Sequence, residues 1–130
     1  MYGRSDEEWD ALIEVGHRFL KGMASLSKTT SYTEMNAVLQ RRTGLRGFDF
    51  SQEKERAAMG YLLGRIVDLD QVEHPTLMIS SLVVYLNAND AGTGFYNLAR
   101  QKGLLGKGDS KEEFWIRQVQ ASHDLFHRQA

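Results

Sequence analysis

The chain has no cysteine among its 130 residues. Disulfides, thiolate metal sites and cysteine nucleophiles are therefore excluded. Its only proline is Pro75, so there is no proline-rich linker or recognition segment. Charges interrupt every apolar run well short of a membrane span. The opening MYGRSDEEWD is acidic and lacks the apolar stretch of a secretory signal. Neither sign of charge dominates, and the formal net charge is −1. No internal repeat or low-complexity segment is present. What remains is ordinary for a globular protein: 42% hydrophobic and 25% charged residues. A chain of this length forms one domain, residues 1–130, and buries about two thirds of the surface its unfolded form exposes. A reduced, cytoplasmic setting is the expectation.

The near-neutral total hides an uneven distribution. Asp6, Glu7, Glu8, Asp10 and Glu14 open the chain, and Asp68, Asp70 and Glu73 precede the proline. From Arg18 to Arg46, the basic residues Arg18, Lys21, Lys28, Arg41, Arg42 and Arg46 are accompanied by one acid, Glu34. A second basic group follows later: Arg100, Lys102, Lys107, Lys111 and Arg117. Such asymmetry allows a basic surface on a neutral protein, although solvated helix faces are the plainer reading.

Ser5 and Glu8 have capping-box spacing. Trp9, Leu12, Ile13, Gly16, Phe19, Leu20 and Met23 then recur at three and four residues, which predicts an amphipathic helix near 6–25. Gly16 within that stripe points to another element crossing closely. KTTSY, Lys28 to Tyr32, suits a brief edge strand. Thr33 is placed to cap a helix over 34–41, with Tyr32, Met35, Val38 and Leu39 inward and Gly44 as a left-handed stop. Ser51 is placed to cap the longest apolar pattern, 52–69, through Ala58, Met59, Leu62, Leu63, Ile66 and Leu69. Gly60 and Gly64 in that helix suggest a close neighbour.

The stretch His74 to Ala99 carries the densest apolar run. Leu77 to Leu86 is apolar on both alternating faces, as expected of a strand covered on two sides by helices. Asn87 to Thr93 reads as a turn in which Gly92 and Gly94 supply backbone freedom. A helix from Phe95 to Lys102 stops at Gly103. Ser110 and Glu113 repeat the capping-box spacing before a last helix over 111–128. These elements predict an α+β domain, winged-helix-like, with a small sheet covered by three longer helices.

The piece TTSYTEMNAVL, Thr29 to Leu39, resembles the start of the DNA-binding domain of O6-alkylguanine-DNA alkyltransferases and alkyltransferase-like proteins. The helix up to His74 and the run up to Tyr85 occupy the places of that family's recognition helix and the approach to its wing. The resemblance covers residues 29 to 95 and implies DNA binding. It does not carry the chemistry, because alkyl transfer needs a thiolate and this chain has no cysteine. His74-Pro75-Thr76 also departs from the family's motif, and no arginine lies between Arg65 and Arg100. Pro75 through Phe95, with Phe114-Trp115, is similar to a group of small bacterial and phage proteins, a likeness that implies architecture and no activity.

Several candidate constellations have plainer explanations. His123 and His127, four apart on one helix face, match metal-ligand spacing but lack a third ligand. Ser80 and Ser81 near His74 lack a nucleophile elbow. Asn87, Asn89 and Asp90 lack the closing glutamate of a calcium loop. Gly92-Thr93-Gly94 before a helix could bind an anion, but tight turning is the simpler use. No catalytic residue, cofactor or metal is expected. The leading expectation is a non-catalytic binding module that meets DNA or RNA through Arg41, Arg42, Arg46, Lys54 and Arg56, by phosphate contact. The alternative is a protein-interaction module, a regulator or a phage-encoded inhibitor of a host protein. No membrane contact is expected.

Overall fold

A computed structural model of the chain describes residues 1–85 and 90–129. Helix α1, Asp6–Ser25, starts at the expected capping box. Glu8 N–H donates to the Ser5 hydroxyl at 3.1 Å, and Ser5 N–H donates to the Glu8 carboxylate at 2.8 Å. Two backbone donors that the helix cannot satisfy internally are thus used. Trp9, Leu12, Gly16, Phe19, Leu20 and Ala24 form its buried stripe.

Strand β1, Thr30–Ser31, runs directly into α2, Tyr32–Thr43. The cap is Ser31 and not Thr33: the Ser31 hydroxyl accepts from Glu34 N–H at 3.0 Å. Gly44, with φ +72°, ends the helix as expected. Helix α3 spans Glu53–Asp70 from Gln52, without a side-chain cap. Ser51 is turned instead toward Asp49, its hydroxyl donating at 2.7 Å. Helix α4, Thr93–Gln101, and helix α5, Lys111–Gln129, complete the set.

The α+β, winged-helix-like expectation is overturned. The described residues hold five α-helices, and their sheet is one pair of two-residue strands. Strand β2, Val83–Val84, runs parallel to β1 in the register Thr30↔Val83 and Ser31↔Val84. The apolar run from Leu77 is buried through Val84, as predicted, but it is not one strand. It includes a 3-10 turn over Ile79–Leu82 that packs against α1, α3 and α5. An unbroken apolar run reports burial and not conformation, so its periodicity could not separate these alternatives. Leu86 and the first three residues of the expected turn, 87–89, lie outside the described residues.

Gly16 is where α1 and α3 cross. A Cβ built there would stand 2.6 Å from Ile66 Cδ1 and 3.2 Å from Met35 Cε. A second, smaller core joins Val67 and Met78 to Phe95, Tyr96, Ala99 and Phe114. The two histidines of α5 act as a clasp: His123 Nε2 donates to Lys28 O at 3.0 Å and His127 Nδ1 to Ser25 O at 3.2 Å. The carbonyls leaving α1 thus gain partners that the helix itself does not provide. No described helix is long and apolar enough to cross a membrane.

Candidate functional site

The five basic residues singled out by the sequence are all exposed, at the end of α2, in the linker and at the start of α3. They are not equivalent. Arg46 is built into the fold: Nη1 donates to Glu55 Oε1 at 3.1 Å, and Nη2 to the Tyr2 carbonyl at 3.2 Å. Arg42 lies over the Phe19 ring, 5.6 Å from its centroid. Arg56 donates to the Phe50 carbonyl at 2.8 Å. Arg41 and Lys54 make no ion pair among the described residues.

The partner of Arg46 was hidden in the sequence. Glu55, within the alternating Glu-Lys-Glu-Arg run, is buried at 5% exposure rather than solvated. Arg4, at 4% exposure, holds it with two parallel bonds, Nη1 to Oε2 at 3.0 Å and Nη2 to Oε1 at 3.1 Å. The Arg4 guanidinium also lies 4.1 Å from the Phe48 ring centroid. The Arg4 hydrogen bond keeps the Glu55 carboxyl below the usual range, against the opposing effect of burial. A second buried acid, Asp70, accepts from His17 Nε2 at 2.9 Å and His74 Nδ1 at 3.3 Å on one oxygen. Its other oxygen has no partner among the described residues. The Arg4–Glu55 and His17–Asp70 pairs join residues far apart in the sequence, and only His74, four residues after Asp70, is a local partner.

Four segments bring an aromatic group together. Tyr32 opens α2, Phe50 precedes α3, Tyr85 follows β2, and Gly92 is the N-cap of α4. The Tyr32 and Tyr85 ring centroids are 5.3 Å apart, and Phe50 stands edge-on to Tyr32 at 6.4 Å. With Arg56 and Met59 these residues line an open hollow of about 370 Å³, within the size range of small-molecule sites. Tyr85 is 53% exposed, a large ring left in water.

Gly92 serves this site differently from the sequence reading. Its φ is −77°, and neither it nor Gly94 has a positive φ. A Cβ on Gly92 would meet the Tyr85 hydroxyl at 3.0 Å and the Tyr32 hydroxyl at 3.1 Å. The residue is small because two phenols converge on it. Burial pushes the Tyr32 hydroxyl up to about 12, with Tyr85 adding to the effect and the Gly92 amide opposing it. Tyr32 therefore stays a neutral donor at ordinary pH.

Beyond Tyr85 lies a second hollow, about 470 Å³, with Asp90, Thr93, Tyr96, Arg100 and Lys111 on its walls. Tyr96 donates to Asp90 Oδ1 at 2.5 Å, and Lys111 Nζ stands 5.8 Å from the Tyr96 ring centroid. Cations thus flank Tyr85: Arg56 on one side, and Arg100 and Lys111 of the second basic group on the other. Lys102 is spent on Asp68, at 2.7 Å. Comparison with protein-family models, curated proteins and solved structures gives no match.

Proposed function

We propose that the protein is a non-catalytic module that binds single-stranded nucleic acid in the groove around Tyr85. The observation that carries this reading is a half-exposed aromatic ring between an aromatic hollow and a charged one. A strand needs flat apolar surfaces for its bases and cations for its phosphates. Tyr85, Tyr32 and Phe50 offer the first, while Arg56, Arg100 and Lys111 offer the second. A duplex hides its base faces within the stack, so the groove favours single strands. Arg41 and Lys54, exposed at the end of α2 and the start of α3, would add contacts that do not depend on sequence.

The test is fluorescence anisotropy with labelled single-stranded DNA and RNA, repeated across a salt series. Binding is expected to weaken linearly on logarithmic axes as salt rises, because each neutralised phosphate releases counterions. Tyr85→Ala should weaken it by roughly tenfold, since one stacked base is worth about 1–3 kcal/mol. Salt-independent binding, or a Tyr85→Ala variant that binds like the parent, rejects the reading. A protein partner retained at high salt with no strand bound would support the interaction-module alternative instead.

A further inference from the structure

The aromatic hollow continues past Tyr32, Gly60 and Gly94 into a cleft of about 260 Å³ between α3 and α4. Ser80 lines this cleft. It is 4% exposed, and its hydroxyl has no hydrogen-bond partner among the described residues. A buried hydroxyl left unpaired lowers stability, so a partner supplied from outside would relieve it. Ser81 provides a contrast. Its hydroxyl is equally unpartnered, but it does not line the cleft, and its carbonyl accepts from Trp115 Nε1 at 2.9 Å.

The glycines of the cleft point the same way. A Cβ at Gly60, Gly64 or Gly94 would meet nothing within 4 Å. Two of these lie inside α3, where glycine weakens a helix, and no described element stands against them. A helix surface without side chains lets a flat group lie against the backbone. Leu63, Phe95 and Leu98 supply apolar walls, with the amides of Asn97 and Gln101 at hand. An apolar slot with a hydroxyl that can donate or accept suits a planar ring with a polar edge.

We infer that this cleft is a second base-binding subsite, so that the groove takes two successive bases of one strand. The inference rests on the reading of the Tyr85 groove as a nucleic-acid site. The first base stacks among Tyr85, Tyr32 and Phe50. The next turns past Tyr32 onto the glycine face of α3, with its edge toward Ser80.

Titration by nuclear magnetic resonance with adenosine monophosphate and with the ApA dinucleotide tests it. The dinucleotide is expected to bind about tenfold tighter or more, as a second stacked base would give. Gly64→Leu should fill the cleft and reduce the dinucleotide to the affinity of the mononucleotide. Ser80→Ala should weaken the dinucleotide several-fold, leave the mononucleotide unchanged and not lower the melting temperature. A serine needed only for packing would instead lower melting and leave both affinities alone. Equal affinity for the two ligands, or Gly64→Leu and Ser80→Ala variants that both bind the dinucleotide like the parent, overturns the subsite and leaves the Tyr85 groove standing. If neither ligand binds, the groove reading and the subsite fall together.

Discussion

Helix α3 has a closed side and an open side, and the two treat similar residues in opposite ways. On the closed side Glu55 is held by Arg4 and Arg46, and Ile66 packs onto Gly16 of α1. On the open side no described atom comes within 4 Å of a Cβ at Gly60 or Gly64, and the nearby Ser80 hydroxyl has no partner among the described residues. Gly16 is small because a neighbour fills the space above it. Gly60 and Gly64 are small where no described residue fills it. A glycine in a helix is thus not by itself evidence of close approach: Gly16 is crossed by α3, whereas Gly22, Gly60 and Gly64 meet no described atom within 4 Å. Among the described residues the unpaired Ser80 hydroxyl lies on that open side, whereas the unpaired Ser81 hydroxyl and Asp70 oxygen do not line the cleft.

The largest effect is expected where the closed side is broken. Arg4→Ala leaves Glu55 buried with only Arg46 as an ionic partner. Breaking a buried pair costs about 3–5 kcal/mol, and the remaining arginine puts this case near the lower end. Urea denaturation measures it, and a loss below about 1 kcal/mol would show that the pair is closer in effect to a surface contact. The pH dependence sharpens the point. The Glu55 carboxyl is held below its ordinary value, so its contribution is complete above the unfolded value of about 4.3. That contribution is lost as pH falls through the depressed folded value. The parent should lose stability in this acid window more steeply than Arg4→Ala, in which the carboxyl is no longer held down by its main partner.

A smaller loss is expected at the helix crossing. Gly16→Ala pushes a methyl group against Ile66 and Met35, and overpacking costs about 1–3 kcal/mol. The gain in helix propensity returns up to about 1 kcal/mol. Adding Ile66→Val removes the clashing Cδ1 and should recover part of the loss, a non-additivity that thermal melting of the double variant would reveal. The smallest effect has the opposite sign. Gly60→Ala and Gly64→Ala place a methyl group in open space, so each should raise stability by up to about 1 kcal/mol. If either lowers the melting temperature, the open side is not open.

The sequence made parts of this architecture legible because they depend on near neighbours. The Ser5–Glu8 capping box, the α1 stripe and the Gly44 stop all appear where spacing placed them. Burial of Leu77 through Val84 was legible too, since apolar content reports what must leave water. Its backbone shape was not, because helices packed on several sides accept a 3-10 turn as readily as a strand. The site was less legible still. Tyr32 read as core, Tyr85 as one more apolar residue of a strand, and Glu55 as part of a solvated helix end.

What the sequence by itself determined is therefore local: which stretches form helices, where most of them stop, and which side chains seek the interior. Tertiary structure alone decided the rest. It paired Arg4 with Glu55 across 51 positions, set Tyr85 beside Tyr32 and Gly92, and chose which glycines would be covered. Capping and periodicity act through neighbours a turn away and are written in spacing. Ion pairs, aromatic groups and clefts depend on how whole elements settle against one another, and no spacing within one element records that.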